Sequence, residues 1–152
     1  MSGRGAFEFI DDVTSDLTLE ARGASAAELF TAAADALLAA TVERPETVAD
    51  RVERRIELTD ERLDWLLRRF LSELVYLRDA ERLLLRAREV AIHGEGVIDG
   101  DGEIRLSATF SGEPFDLARH APANEVKAVT AYGLSARRDP DGVWRARVTF
   151  DV

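Results

Sequence analysis

A chain of 152 residues, 46% apolar and 32% charged, is long enough for one domain with a sizeable core and too short for two comfortable ones. Its net charge of −9 disfavours direct nucleic-acid binding, because phosphate backbones are drawn to a basic stripe, and the short, acid-interleaved clusters RVERR and ARRDPDGVWRAR do not form one. The absence of cysteine excludes disulfides, thiolate metal sites and a thiol nucleophile. No apolar run approaches the roughly 20 residues of a membrane span, and the start, MSGRGAFEF, lacks a secretory apolar core, so a cytoplasmic protein is expected.

Taken in chain order, Phe7 to Asp11 reads as a short strand. DLTLEARG, Asp16 to Gly23, alternates with Leu17, Leu19 and Ala21 on one side and reads as a second strand. The turn between them, DDVTSD, is dense in acids and hydroxyls. SAAE, Ser25 to Glu28, has the form of a capping box and predicts a small-residue helix to about Val42, closed by Pro45. RVERRIEL alternates again, with Arg54 interrupting its apolar face, as on an edge strand. In TDERLDWLLRRFLSELVYLRDAE, Leu63, Leu66, Leu67, Phe70, Leu74 and Leu77 share one helical stripe, with Thr59 or Asp60 as the expected cap and Glu73 at the rim of the stripe.

The remainder reads as strands. LLLRAREVAIHG and EIRLSATFSG flank DGDG, and EVKAVTAYGLSARR and VWRARVTFDV flank DPDG, giving two hairpins. In the last strand Trp144, Ala146, Val148, Phe150 and Val152 share a face, and Arg145, Arg147, Thr149 and Asp151 share the other. The order β-β-α-β-α-β-β-β-β predicts one α+β domain over residues 1–152, with two helices packed on a mostly antiparallel or mixed sheet.

No nucleophile–base set stands out, so catalysis by this chain alone is not expected. His93 falls in a strand and His120 follows the polar turn GEPFDLARH; no histidine spacing typical of zinc sites occurs. Oxygen ligands remain. Asp11, Asp12 and Asp16 cluster in the first turn, and Asp151 stands beside the carboxylate of Val152. Hard cations such as calcium or magnesium take such ligands; the alternative is that each aspartate is a solvated turn residue or pairs with Arg145 or Arg147. Of the 20 basic residues, 19 are arginine. The exception, Lys127 in NEVKAVTAY, is either a chance survivor or a position that needs a compact ammonium.

These blocks also carry a resemblance. FEFIDDVTSD, DWLLRRFLSELVYL, GEPFDLARH, NEVKAVTAYGL and the terminal WRARVTFDV, in that order and across essentially the whole chain, resemble the archease family. The resemblance implies an accessory protein of the RtcB-type RNA ligase, which joins RNA ends carrying 2′,3′-cyclic phosphate or 3′-phosphate to 5′-hydroxyl ends with GTP and metal. On this reading the chain promotes the ligase–GMP intermediate and multiple turnover in tRNA splicing or RNA repair, acting on a protein and not on RNA. The resemblance further implies a divalent cation, calcium with magnesium or manganese as alternatives, held by Asp16, Asp151 and Val152. It assigns Lys127 and Glu73 to activation of the partner. Asp12 and His120 are further candidates, as is Asp11. The first turn departs from the family pattern: DDVTSD is one residue longer and lacks the histidine that commonly precedes the Thr-Ala-Asp turn, and TAYG stands where a tyrosine followed by histidine is frequent. A metal-binding interaction or chaperone domain with another protein client is the second reading, and a small metal-dependent hydrolase the third.

Overall fold

The computed structural model describes residues 3–10, 16–94 and 102–152. Its elements run β1 (Ala6–Ile10), β2 (Asp16–Gly23), α1 (Ala26–Thr41), a 3-10 turn (Pro45–Thr47), β3 (Val52–Asp60), α2 (Leu63–Glu81), β4 (Leu83–His93), β5 (Ile104–Pro114), β6 (Ala128–Arg138) and β7 (Trp144–Asp151). The expected α+β order is the observed one. The strands divide into two sheets, β1-β2-β7-β6 and β3-β5-β4, and every pairing is antiparallel. Both helices touch strands of both sheets, α1 packing on β2 and β4 and α2 on β6, β3 and β4.

That placement explains the alanine-rich helix. A helix packed from both sides must be apolar around most of its circumference and thin enough to let two sheets approach. In α1, Ala26, Ala32, Ala33, Ala34, Ala36 and Ala40 are buried beside Leu29, Phe30, Leu37 and Leu38. Phe30 of α1, Phe70 of α2 and Phe110 of β5 form a chain of tilted rings with centroids 5.4 and 5.5 Å apart, linking the helices to the smaller sheet. Such pairs contribute roughly 0.5–1.5 kcal/mol beyond their buried area.

The cap of α1 is the one the sequence predicts. The Glu28 amide donates to Ser25 Oγ at 3.1 Å, and the returning Glu28 carboxylate accepts from Ala24 N at 3.3 Å in place of Ser25 N. The cap of α2 differs from expectation. Thr59 and Asp60 are paired in β3, opposite Arg105 and Ile104, and Arg62 occupies the cap position without a side-chain capping bond; its guanidinium pairs instead with the Asp64 carboxylate in the first turn, at 2.7 Å. Ladder pairing carries the strand two residues further than the alternation suggests; Asp60 then accepts the Arg62 amide at 3.1 Å from the strand side. β3 is an edge strand as expected, and Arg54, which breaks its apolar face, reaches Glu81 at the end of α2 at 2.8 Å.

Of the two hairpin turns, DPDG is closed by Asp139 N donating to Val143 O and Gly142 N to Asp139 O, both 2.9 Å. Gly142 has φ 86°, the left-handed region that glycine enters at little cost. The DGDG turn lies largely outside the described residues, but its flanking strands pair from His93↔Arg105 to Leu83↔Pro114. In β6 the register jumps between Thr130 and Ser135, so Ala131 to Leu134 bulge from the edge of the larger sheet, leaving Tyr132 74% exposed.

Candidate functional site

β7 runs between β2 and β6, and the register places Asp16 of β2 directly opposite Asp151 of β7. Residues directly opposite in an antiparallel pair project to the same face, with Cβ atoms about 4.5–5.5 Å apart. Two half-buried carboxylate-bearing residues therefore share one end of the sheet. Ala128 pairs with Asp151 from the other side, and the Lys127 amide donates to Asp151 O at 2.7 Å, which brings the single lysine to the same tip. Val152 follows and packs on the core as a half-buried side chain. Next along the strands, Thr18 and Thr149 are opposed and buried, their hydroxyls 3.0 Å apart. One hydroxyl donates to the other, and the pair forms a neutral floor beside the acids.

The strand arginines do not neutralise Asp151. Arg145 bonds to Asp139 and Asp141, and Arg147 makes no ion pair among the described residues. Nor does the Asp151 carboxylate accept a hydrogen bond there. Like charges directly opposite on a sheet are destabilising, and two hard oxygen donors so placed suit a divalent cation in kind. In number they fall short: among the described residues no three His, Cys, Asp or Glu side chains gather to hold a metal. A fuller set would need the Val152 carboxylate or acids of the first turn; Asp11 and Asp12 lie outside the described residues.

The other sequence candidates are placed elsewhere. Glu73 is half-buried on α2, in the stretch of helix whose Arg68 and Arg78 donate to Val129 O and Val126 O at the start of β6. Its carboxylate makes no hydrogen bond or ion pair among the described residues. His120 is fully buried and not presented to a ligand.

A family model described as "Archease protein family (MTH1598/TM1083)" matches residues 7–152. The chain belongs to the archease family. It is 36% identical over 139 residues to the protein archease of Pyrococcus furiosus, covering 91% of this chain and 94% of that one. It is 31% identical to that of Methanosarcina barkeri over the full length of both. The solution structure of Methanobacterium thermoautotrophicum protein 1598 superposes with a TM-score of 0.79 at 34% identity, over 97% of this chain and 99% of that one. The crystal structure of a Thermotoga maritima protein described as "an archease, possible chaperone" shares the fold, with a TM-score of 0.62 at 20% identity, over 94% of this chain and 95% of that one.

The archease-like block GEPFDLARH folds into a buried latch. Glu113 closes β5 at 1% exposure. Its Oε2 accepts from Ala49 N at 2.8 Å and from His120 Nε2 at 2.9 Å, and its Oε1 from Arg119 Nη1 at 2.5 Å. The Asp116 amide donates to His120 Nδ1 at 2.9 Å, so the ring carries its proton on Nε2 and donates it to Glu113. Arg119 also donates to Thr47 O at 3.1 Å, tying this loop to the segment between α1 and β3. Chiefly through the Arg119 hydrogen bond, opposed by burial and helped by Ala49 and His120, Glu113 is held down at about 2 from its ordinary 4.5. Gly112 is required beside it: a Cβ there would fall 1.7 Å from Leu84 O. The carboxylate was visible in the sequence, but the three donors that satisfy it, from two separate segments, come together only in the fold.

Proposed function

We propose that this archease is a non-catalytic activator of an RtcB-type RNA ligase in tRNA splicing or RNA repair, promoting ligase guanylylation and multiple turnover. The observation that supports this most is the direct opposition of Asp16 and Asp151 at one end of the larger sheet, with Lys127 joined through its amide to Asp151. Asp16, Asp151 and the Val152 carboxylate would hold a divalent cation, calcium with magnesium or manganese as alternatives, whose charge relieves the opposed carboxylates. Lys127 supplies a compact ammonium at the same tip, and Glu73 would contribute from α2 beside the start of β6. The tip would meet the ligase near its nucleotide site, with the protein as the partner and RNA contacted only by the ligase. No described helix is long and apolar enough to cross a membrane, which is compatible with a cytoplasmic setting.

The test is ligase guanylylation over several turnovers with Asp16→Ala, Asp151→Ala and Lys127→Ala. Loss of stimulation with retained fold is expected for each. Stimulation equal to wild type by all three variants would refute the role of the tip.

A further inference from the structure

The outer face of the larger sheet carries a charge order that the acid tip does not explain. Starting at the tip, the cross-strand rows read Asp16–Asp151–Ala128, then Ile10–Thr18–Thr149–Thr130, then Glu8–Glu20–Arg147–Ser135, then Ala6–Arg22–Arg145–Arg137. The last row sets three arginines side by side on three adjacent strands. Like charges directly opposite weaken a sheet, so a row of three, with a fourth arginine one row away, asks for an anionic counterpart. Asp139 serves Arg137 and Arg145, and Asp141 serves Arg145. Arg22 and Arg147 are exposed and make no ion pair or hydrogen bond among the described residues. These side chains, with Glu8, Glu20 and Ser135, line an open cleft of about 270 Å³.

We infer that this arginine row is a second docking surface, which takes an extended acidic segment of the same protein partner that meets the tip; the inference rests on the ligase reading above. Three features select that occupant. The guanidiniums are spread over three strands, about 10 Å at the usual 4.8 Å strand spacing, which suits several carboxylates along a chain better than one compact anion. Glu8 and Glu20 sit in the same cleft and would repel a phosphodiester backbone, whose charge repeats without interruption; an acidic peptide segment can set its carboxylates against the arginines and a neutral or basic residue against the two glutamates. The arginine row also lies six residues along β2 from Asp16, about 20 Å at 3.4 Å per residue, so one partner face can span both ends.

The test measures binding of the full chain to an RtcB-type ligase, and ligase guanylylation at saturating chain, for wild type, Arg22→Glu/Arg147→Glu and Asp151→Ala. Because these arginines are exposed, and the double reversal removes the Arg22–Arg145 repulsion while setting like charges at positions 20 and 147, the double variant should stay close to the wild-type urea midpoint. It is expected to bind about tenfold more weakly, with a shallower dependence on salt, and to recover full stimulation at saturation. Asp151→Ala should fail to stimulate even when saturating. Arg22→Gln/Arg147→Gln, which removes charge without reversing it, should show a smaller loss in the same direction. Binding by the double variant within twofold of wild type overturns the docking surface while leaving the ligase reading intact. Absence of both binding and stimulation by wild type overturns the ligase reading and the inference together. Arginine-dependent binding of a labelled single-stranded RNA by the chain alone overturns the acidic-segment assignment in favour of nucleic acid.

Discussion

Glu113 and Asp151 both stand at or near the end of a strand, and they are treated in opposite ways. Glu113 sinks to 1% exposure and collects an amide, an imidazole N–H and a guanidinium. Asp151 remains half-buried opposite a second aspartate and collects no donor among the described residues. A buried charge whose donors come from within the chain holds segments together, and removing it exposes the cost of burying them. A charge left beside a like charge costs stability until something external neutralises it. The contrast separates Glu113, satisfied from within the fold, from Asp151, whose carboxylate collects no donor among the described residues.

The largest effect is expected at the satisfied end. Glu113→Ala leaves the Ala49 amide and the His120 Nε2–H buried without an acceptor and leaves Arg119 with only its bond to Thr47 O. Each buried donor left without an acceptor costs about 1–3 kcal/mol, so the two together should cost about 2–6 kcal/mol, read as a lowered urea midpoint at unchanged slope. A loss below about 1 kcal/mol would mean that the latch is not what joins this loop to the segment after α1, and the contrast would lose its first half.

A pH titration of stability sharpens the same point. Glu113 lies at about 2 in the folded chain against an ordinary 4.5. A carboxylate depressed by folding contributes stability that is complete above its unfolded value and lost as pH falls through the folded one. The urea midpoint should therefore decline from about pH 4.5 towards about pH 2, and Glu113→Gln should flatten that limb relative to wild type. An identical acid limb in the variant would assign the acid sensitivity to other carboxylates.

How far this contrast could be read from the sequence differs between its two halves. The alternation of DLTLEARG and of the last strand correctly gives β2 and β7, and with them the faces on which Asp16 and Asp151 lie, because side-chain direction in a strand follows from a period of two. That the two aspartates fall exactly opposite one another depends on a long-range register that no local pattern encodes; the resemblance to archeases pointed there first. The division into two sheets was hidden for a related reason: Ala32, Ala33 and Ala36 signal close packing without saying that it occurs on both sides of the helix. The Glu113 latch was missed because its partners come from Ala49, Arg119 and His120, and a backbone amide leaves no mark in a sequence. The arginine row was missed because Arg22 is separated by more than a hundred residues from Arg137 and Arg145, and only pairing makes them neighbours.

The smallest effect, and the one that decides the second half of the contrast, is expected for Asp151→Asn. The change keeps the size of the side chain and removes one of two opposed charges. Relief of a like-charge cross-strand pair is worth roughly 0.2–1 kcal/mol, so in chelator the variant should be as stable as wild type or slightly more so. Added calcium should reverse the order. A ligand that binds only the folded chain stabilises it by RT ln(1 + [L]/Kd), and that gain belongs to wild type, whose two carboxylates remain. Extending the chain past Val152 should reduce the same calcium-dependent gain while leaving stability in chelator unchanged, since it converts the terminal carboxylate to an amide carbonyl. If Asp151→Asn instead costs more than about 1 kcal/mol in chelator, Asp151 is bonded within the fold as Glu113 is, and the tip is a second latch and not a face offered to a partner.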